Sequence, residues 1–369
     1  MKRVIGLSWI LLSLAAMAFA EIKVETLAWF DYSVSADTNS GNGCVDKGGA
    51  FYVPRLYLTV QGDVGNDWFS NPIKARFTVD FAKSQFDSTT SSTKSIPIKY
   101  AYFDYYLFSA LGMKNEIVLS AGLLKSYFGY IADWSYPIPV KDATEQYSAV
   151  KPSASADFGV MLSGKFMSTE DNKDGIFKYY FQVLNSEGYE KLFTENSVQS
   201  DNLGLQFSGF VMPLIGLSIG GTYRSVNYNT SKQKQDAYAA VVAVKNLRLG
   251  EGETAFTIPV DILFQYVGIN SVNLTNDVTT KGSVISTTAG YGFFDNSVTP
   301  YVRYDIVNED DSKTNTDAKL YQYSYLYFGI NIKPAKGLTI RPVYGQNMNN
   351  NDIMAKIEME YAVNFSIWQ

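Results

Sequence analysis

From Ile22 onward, apolar and polar side chains alternate in about sixteen runs, and short connections take turns with long ones between them. The pattern predicts strands over Ile22–Val34, Gly49–Val64, Ile73–Lys83, Pro97–Phe108, Asn115–Lys125, Asp157–Met167, Ile176–Asn185 and Asp201–Val211. It continues with Gly216–Asn227, Asp236–Asn246, Ala255–Gly268, Gly282–Gly292, Thr299–Val307, Leu320–Lys333, Gly337–Gln346 and Ile353–Ile367. In the third run Ala75, Phe77, Val79 and Phe81 share one face, while Lys74, Arg76, Thr78 and Asp80 share the other. In the last, Ile357, Met359, Tyr361, Val363, Phe365 and Ile367 oppose Lys356, Glu358, Glu360, Asn364 and Ser366. Period-two alternation puts each set on one side of a sheet. The runs exceed the ~5–6 residues of ordinary soluble strands and reach the ~9–11 that a tilted membrane strand needs.

The connections carry the second half of the pattern. Tight ones fall at Gly65–Pro72, Ser109–Lys114, Ser168–Gly175, Met212–Ile215, Leu247–Thr254, Phe293–Val298 and Pro334–Lys336. Between them lie Ser35–Gly48, Ser84–Ile96, Ser126–Ala156, Ser186–Ser200, Tyr228–Gln235, Ile269–Lys281, Asn308–Lys319 and Asn347–Asp352. A closed barrel with lipid outside and water inside imposes this order, with tight periplasmic turns and longer extracellular loops. The predicted fold is all-β: a transmembrane antiparallel β-barrel of about sixteen strands. Two features strain against it. Pro54, Pro259, Pro300 and Pro342 fall inside or at the start of runs, where a missing N–H interrupts a ladder. The run Asp236–Asn246 carries Ala on both faces.

Residues 1–20 read as a secretory signal: Lys2 and Arg3, an apolar stretch over Val4–Met17, then Ala18-Phe19-Ala20 before Glu21. No later stretch reaches the ~20 apolar residues of a spanning helix, so residues 21–369 are expected to form one barrel domain that inserts through strands. Without Lys2 and Arg3 the 31 basic residues fall to 29 against 36 acidic ones, a net charge of −7. That balance, with no basic stripe, predicts no nucleic-acid partner. The single cysteine, Cys44, forms no internal disulfide and reads as a plain loop thiol.

Several segments resemble the phosphate-selective porin family of outer-membrane channels. They are Val53-Pro54-Arg55-Leu56-Tyr57-Leu58-Thr59-Val60-Gln61-Gly62, Tyr100-Ala101-Tyr102-Phe103-Asp104-Tyr105 and Leu119-Ser120-Ala121-Gly122-Leu123-Leu124-Lys125. Asp157-Phe158-Gly159-Val160-Met161-Leu162-Ser163-Gly164-Lys165 and Phe181-Gln182-Val183-Leu184-Asn185-Ser186-Glu187-Gly188-Tyr189 extend the likeness to about residue 210. The resemblance implies a sixteen-stranded barrel, a homotrimer, and a long third extracellular loop folded into the pore. Ser126–Ala156, the longest connection, is the matching loop; connections beyond ~12–15 residues are usually functional or disordered. Its constriction candidates are Tyr130, Asp133, Trp134, Lys141, Asp142 and Glu145. With no basic cluster there, phosphate specificity is not carried over. Trp368 and Gln369 depart from the aromatic final residue common in such barrels.

The chain has no histidine, which removes Ser–His–Asp catalysis and histidine-based zinc sites. No enzyme, cofactor or metal is expected. Charge on the polar faces carries the remaining chemistry, because charged groups at mid-depth on the lipid side cost ~2–4 kcal/mol for Arg or Lys. The pore-lining candidates are Arg55, Lys74, Arg76, Asp80, Arg224, Asp261, Arg303, Asp305, Arg341, Glu358 and Glu360. The sequence therefore predicts a bacterial outer-membrane porin, in contact with lipid and lipopolysaccharide, that passes small hydrophilic solutes and ions with weak selectivity. The alternatives are a substrate-specific porin for anions or carbohydrates, and a surface adhesin or carbohydrate-binding β-protein.

Overall fold

The computed structural model describes residues 21–37, 45–66, 71–81, 98–107, 115–130, 155–168, 172, 175–186, 203–228, 233–250, 255–275, 278–308, 322–350 and 352–368. The expected signal segment, Cys44 and Gln369 lie outside the described residues. The strands are β1 (Glu21–Asp37), β2 (Val45–Asn66), β3 (Pro72–Asp80), β4 (Ile98–Tyr106), β5 (Glu116–Lys125), β6 (Ala156–Phe166), β7 (Phe177–Leu184) and β8 (Leu203–Leu214). They continue as β9 (Leu217–Tyr228), β10 (Gln233–Leu249), β11 (Phe256–Asn273), β12 (Val278–Tyr291), β13 (Val298–Asn308), β14 (Gln322–Ala335), β15 (Leu338–Asn347) and β16 (Ile353–Trp368). Each pairs antiparallel with its neighbours in sequence, and β1 pairs with β16 from Glu21↔Trp368 to Ala36↔Ile353, so these sixteen strands close a barrel. A closed barrel leaves no unpaired strand edge.

The two faces of this wall are inverted relative to a soluble protein. Phe103, Phe181, Phe207, Tyr223, Ile357 and Met359 stand exposed on the outside. Gln182, Gln206, Arg224, Gln265, Asp305 and Glu358 are buried on the inside. Cross-strand pairing keeps each set together: Gln182↔Gln206 and Gln206↔Arg224 face inward, while Phe181↔Phe207 and Phe207↔Tyr223 face outward. Hydrocarbon around the barrel demands this arrangement, and a one-residue register slip would exchange the faces.

The prolines find places where the ladder is already irregular. Pro54 sits where β1–β2 pairing jumps from Trp29↔Arg55 to Asp31↔Tyr52. Pro259 sits where β10–β11 jumps from Lys245↔Asp261 to Leu247↔Ile258. Pro342 borders the interruption between Gly329↔Val343 and Ile332↔Ile340. Pro300 pairs with Ile330 of β14 but lies just before the β12–β13 ladder, which starts at Gly290↔Tyr301. A bulge tolerates the missing donor that an unbroken ladder would not.

One predicted connection is corrected. Ile269–Lys281 is not a long loop: β11 runs on to Asn273, β12 begins at Val278, and these two residues pair with each other. Asn270, Ser271 and Asn273 ended the apolar alternation, so pattern alone stopped at the edge of the lipid-facing band. Hydrogen bonding between strands does not stop there.

Candidate functional site

The inner wall is the candidate site, and its charges meet across neighbouring strands. Arg303 binds Asp305 two-pronged, through Nε at 2.8 Å and an NH2 contact of 2.7 Å, with both side chains buried. Arg341 on β15 donates to Glu358 at 2.9 Å and Glu360 at 2.8 Å on β16. Lys356 lies 3.2 Å from Glu358 and 2.5 Å from Asp31 on β1. These five groups form one alternating row across β15, β16 and β1. Lys165–Glu116 at 3.3 Å and Lys74–Asp63 at 3.8 Å are more open pairs toward one rim.

A second bank lies on β1–β4, where cations rest on aromatic rings. The Arg55 guanidinium is 5.2 Å from the Trp29 ring and donates to the Tyr57 hydroxyl at 2.5 Å. Lys99 donates to the same hydroxyl at 3.1 Å, and Arg76 stands 5.3 Å from the Tyr100 ring. Cation–ring contacts of this kind orient a guanidinium without neutralising it. Asp80 pairs across from Tyr57 and is buried. Of the remaining candidates, Arg224 lies beside Gln206 and Asp261 is opposite Lys245. The sequence reading did not single out Trp29, Asp31 or Lys99, although Trp29 and Asp31 share a period-two face in the first run.

The chain leaving β5 enters this interior. Gly122 has φ +127, and a Cβ there would come within 2.3 Å of the Ala101 carbonyl oxygen, so only glycine fits the turn in the strand. Beyond it, Leu123, Leu124, Lys125 and Ser126 are all buried. The following residues are tied to β7–β9. Tyr127 N–H donates to Gln182 Oε1 at 2.9 Å, Gln182 Nε2 donates to the Lys125 carbonyl at 2.8 Å, and Gly129 N–H donates to Thr222 Oγ1 at 3.2 Å. The Ser208 hydroxyl donates to the Tyr127 carbonyl. Tyr127 stacks on Tyr180 with centroids 4.0 Å apart and planes 7° apart.

Phe128, 2% exposed, packs into an apolar patch of the inner wall made by Ala237, Ala239, Val267, Ile269, Val284 and Val307. Tyr130 packs beside Phe210, Val241 and Ala243. This explains β10. Its inward alanines and valines face the chain segment after β5, while its outward ones face lipid. The constriction candidates Asp133, Trp134, Lys141, Asp142 and Glu145 lie outside the described residues; Tyr130 alone of that set is placed, against β8 and β10.

Comparison with known proteins agrees with this geometry. A family model described as phosphate-selective porin O and P matches residues 24–135. No curated protein matches the chain in sequence. The outer-membrane channel DcaP of Acinetobacter baumannii superposes with a TM-score of 0.57 at 12% identity, covering 93% of this chain and 97% of that one. OmpF of Salmonella typhi, solved in complex with daunomycin, gives 0.59 at 11% identity over 93% and 97%. OmpT of Vibrio cholerae, in its trimer form, gives 0.54 at 11% over 93% and 99%. At these identities the likeness is one of fold: the chain has the barrel of outer-membrane porins.

Proposed function

We propose that this porin-type barrel of the bacterial outer membrane passes small hydrophilic solutes and ions by passive diffusion, with weak ion selectivity. The observation that supports it is the pairing of charge along the inner wall. Arg303 with Asp305, and Arg341 and Lys356 with Asp31, Glu358 and Glu360, spend most of their fields on each other. Unbalanced rings of charge are what give a channel strong ion preference.

The long connection after β5 narrows the lumen in this reading. Its first residues, Ser126–Tyr130, already lie against the inner wall, and the remaining candidates Asp133, Trp134, Lys141, Asp142 and Glu145 follow within the same loop. Homotrimeric assembly is proposed from the trimer form recorded for Vibrio cholerae OmpT. Lipid and lipopolysaccharide contact the apolar exterior. One observation favours anion preference as a second reading: Arg55, Arg76 and Lys99 rest on aromatic rings of β1–β4, inside the segment matched by the phosphate-selective family model.

Reversal potential in planar bilayers under a salt gradient tests both. A potential near zero supports weak selectivity, a strongly anion-directed one supports the second reading, and absence of any conductance overturns the channel reading.

A further inference from the structure

The inner wall holds a recess of about 180 Å³ at the end of the barrel where β10–β15 are joined by tight turns. Its volume is below the ~300–1,000 Å³ typical of drug-sized ligands, so it suits a solute of few atoms. Lys245 and Asp261 face each other directly across β10 and β11. Lys333 reaches the same recess from β14, and both lysines bear electrostatically on Asp261. On β12 the residue opposite Asp261 is Gly290, which adds no side chain of its own there, and Thr299 of β13 lines the recess beside it. Tyr130, from the segment after β5, closes one side.

The rim of the recess is held in an uncommon backbone shape. Asn246 and Asn296 both have left-handed conformations, with φ +50 and +62, and Asn296 Nδ2 donates to Asn246 Oδ1 at 3.2 Å. Phe294 and Asp295, next to Asn296, are left-handed as well. Such conformations persist where the surroundings over-determine them. The side-chain bond joins the β10 bulge to the β12–β13 turn and fixes two amides at the mouth.

We infer that this recess is a binding station for a small zwitterion, an α-amino acid, in the solute path. The inference rests on the channel reading above. Charge order decides it: ammonium, carboxylate, ammonium, beside the Arg341 guanidinium, which also lines the recess but is bound to Glu358 and Glu360. A bare anion would meet Asp261, and a bare cation would meet two lysines. A neutral polyol would cover three charges while offering none of opposite sign, at a desolvation cost. A zwitterion places its carboxylate on Lys245 and Lys333 and its ammonium on Asp261, with Asn246 and Asn296 left for the remaining polar atoms. The site then favours brief residence of amino acids over passage of equally small neutral solutes.

The test uses L-alanine, with acetate, methylammonium and glucose as comparisons. Equilibrium dialysis of radiolabelled alanine against the detergent-solubilised full-length protein should show saturable binding, with the three comparison solutes competing at least about ten-fold more weakly. Asp261→Asn should weaken alanine by at least about ten-fold, the loss of one charge-assisted hydrogen bond, and strengthen acetate. Lys333→Gln should weaken alanine as well. Absence of saturable alanine binding, equal competition by acetate or glucose, or unchanged alanine affinity in Asp261→Asn would each overturn the inference. Bilayer current is recorded in parallel. An open channel with no alanine binding sinks the station and leaves the channel, whereas alanine binding without current sinks the channel reading and, with it, the station's place in a solute path.

Discussion

Phe128 and Ala237 share one apolar cluster inside the barrel, sealed from solvent, although one belongs to the connection after β5 and the other to the first third of β10. The small residue on the wall is what makes room for the large one on the loop. Burial of such an aromatic ring is an anchor, and Phe→Ala truncations in packed sites cost about 3–5 kcal/mol.

Phe128→Ala should therefore release the segment while the strands, which hold one another through their own ladders, remain paired. The expected result is an unchanged β-sheet circular dichroism spectrum with a raised and noisier single-channel conductance. Ala237→Leu, which crowds the Phe128 cluster from the wall side, should do the same. Conductance traces identical to the parent in both variants would show that the segment does not shape the conduction path.

Gln182 holds Tyr127 and Gln206 at once, accepting from Tyr127 N–H and from Gln206 Nε2 at 2.8 Å. Replacing it by Leu leaves Tyr127 N–H, the Lys125 carbonyl and Gln206 short of partners inside the barrel, at about 1–3 kcal/mol for each group left unsatisfied. Thermal unfolding followed by the gel shift between folded and unfolded barrel should move to lower temperature, and Gln182→Glu should recover part of the loss through its remaining acceptor oxygens.

The buried Arg303–Asp305 pair makes a sign prediction. Removing one partner strands a charge, which costs about 3–5 kcal/mol, whereas replacing both by apolar residues of similar size is close to neutral. Asp305→Asn and Arg303→Met should each lower the unfolding temperature more than the double change Arg303→Met with Asp305→Leu. A double variant less stable than both single ones would contradict this pairing.

Arg76 and Arg303 separate two roles that sequence alone treats alike. Arg76 rests over Tyr100 without a direct ion pair among the described residues, though it bears on Asp104, whereas Arg303 is bound two-pronged to Asp305. Both changes to Ala should shift reversal potential toward cations, and Arg76→Ala should do so at little cost in stability. No shift from either would remove them from the conduction path.

Much of this architecture was legible in the residues themselves. Period-two alternation located all of the strands, because lipid on one side and water on the other act on every second side chain. The register that brings Arg341 to Glu358 and Lys356 to Asp31 was not legible, since pairing between strands leaves no mark within either one. β10 reads as a strand but alternates poorly for a physical reason: its inward Ala237, Ala239, Val241 and Ala243 are apolar because another part of the chain covers them. The extension of β11 to Asn273 was hidden because hydrogen bonding continues where the apolar pattern has ended.

The barrel's orientation requires apolar side chains to touch hydrocarbon and polar ones to enclose solvent, and β2 offers the clearest place to measure it. With Cys44 replaced by Ser, single nitroxides at Leu58, Thr59, Val60 and Gln61 in lipid-reconstituted protein report collision with oxygen, which concentrates in lipid, and with a water-soluble nickel complex. The expected pattern alternates: oxygen access high at 58 and 60, nickel access higher at 59 and 61. The reverse phase, or no alternation along the four positions, would contradict the barrel's orientation of inside and outside.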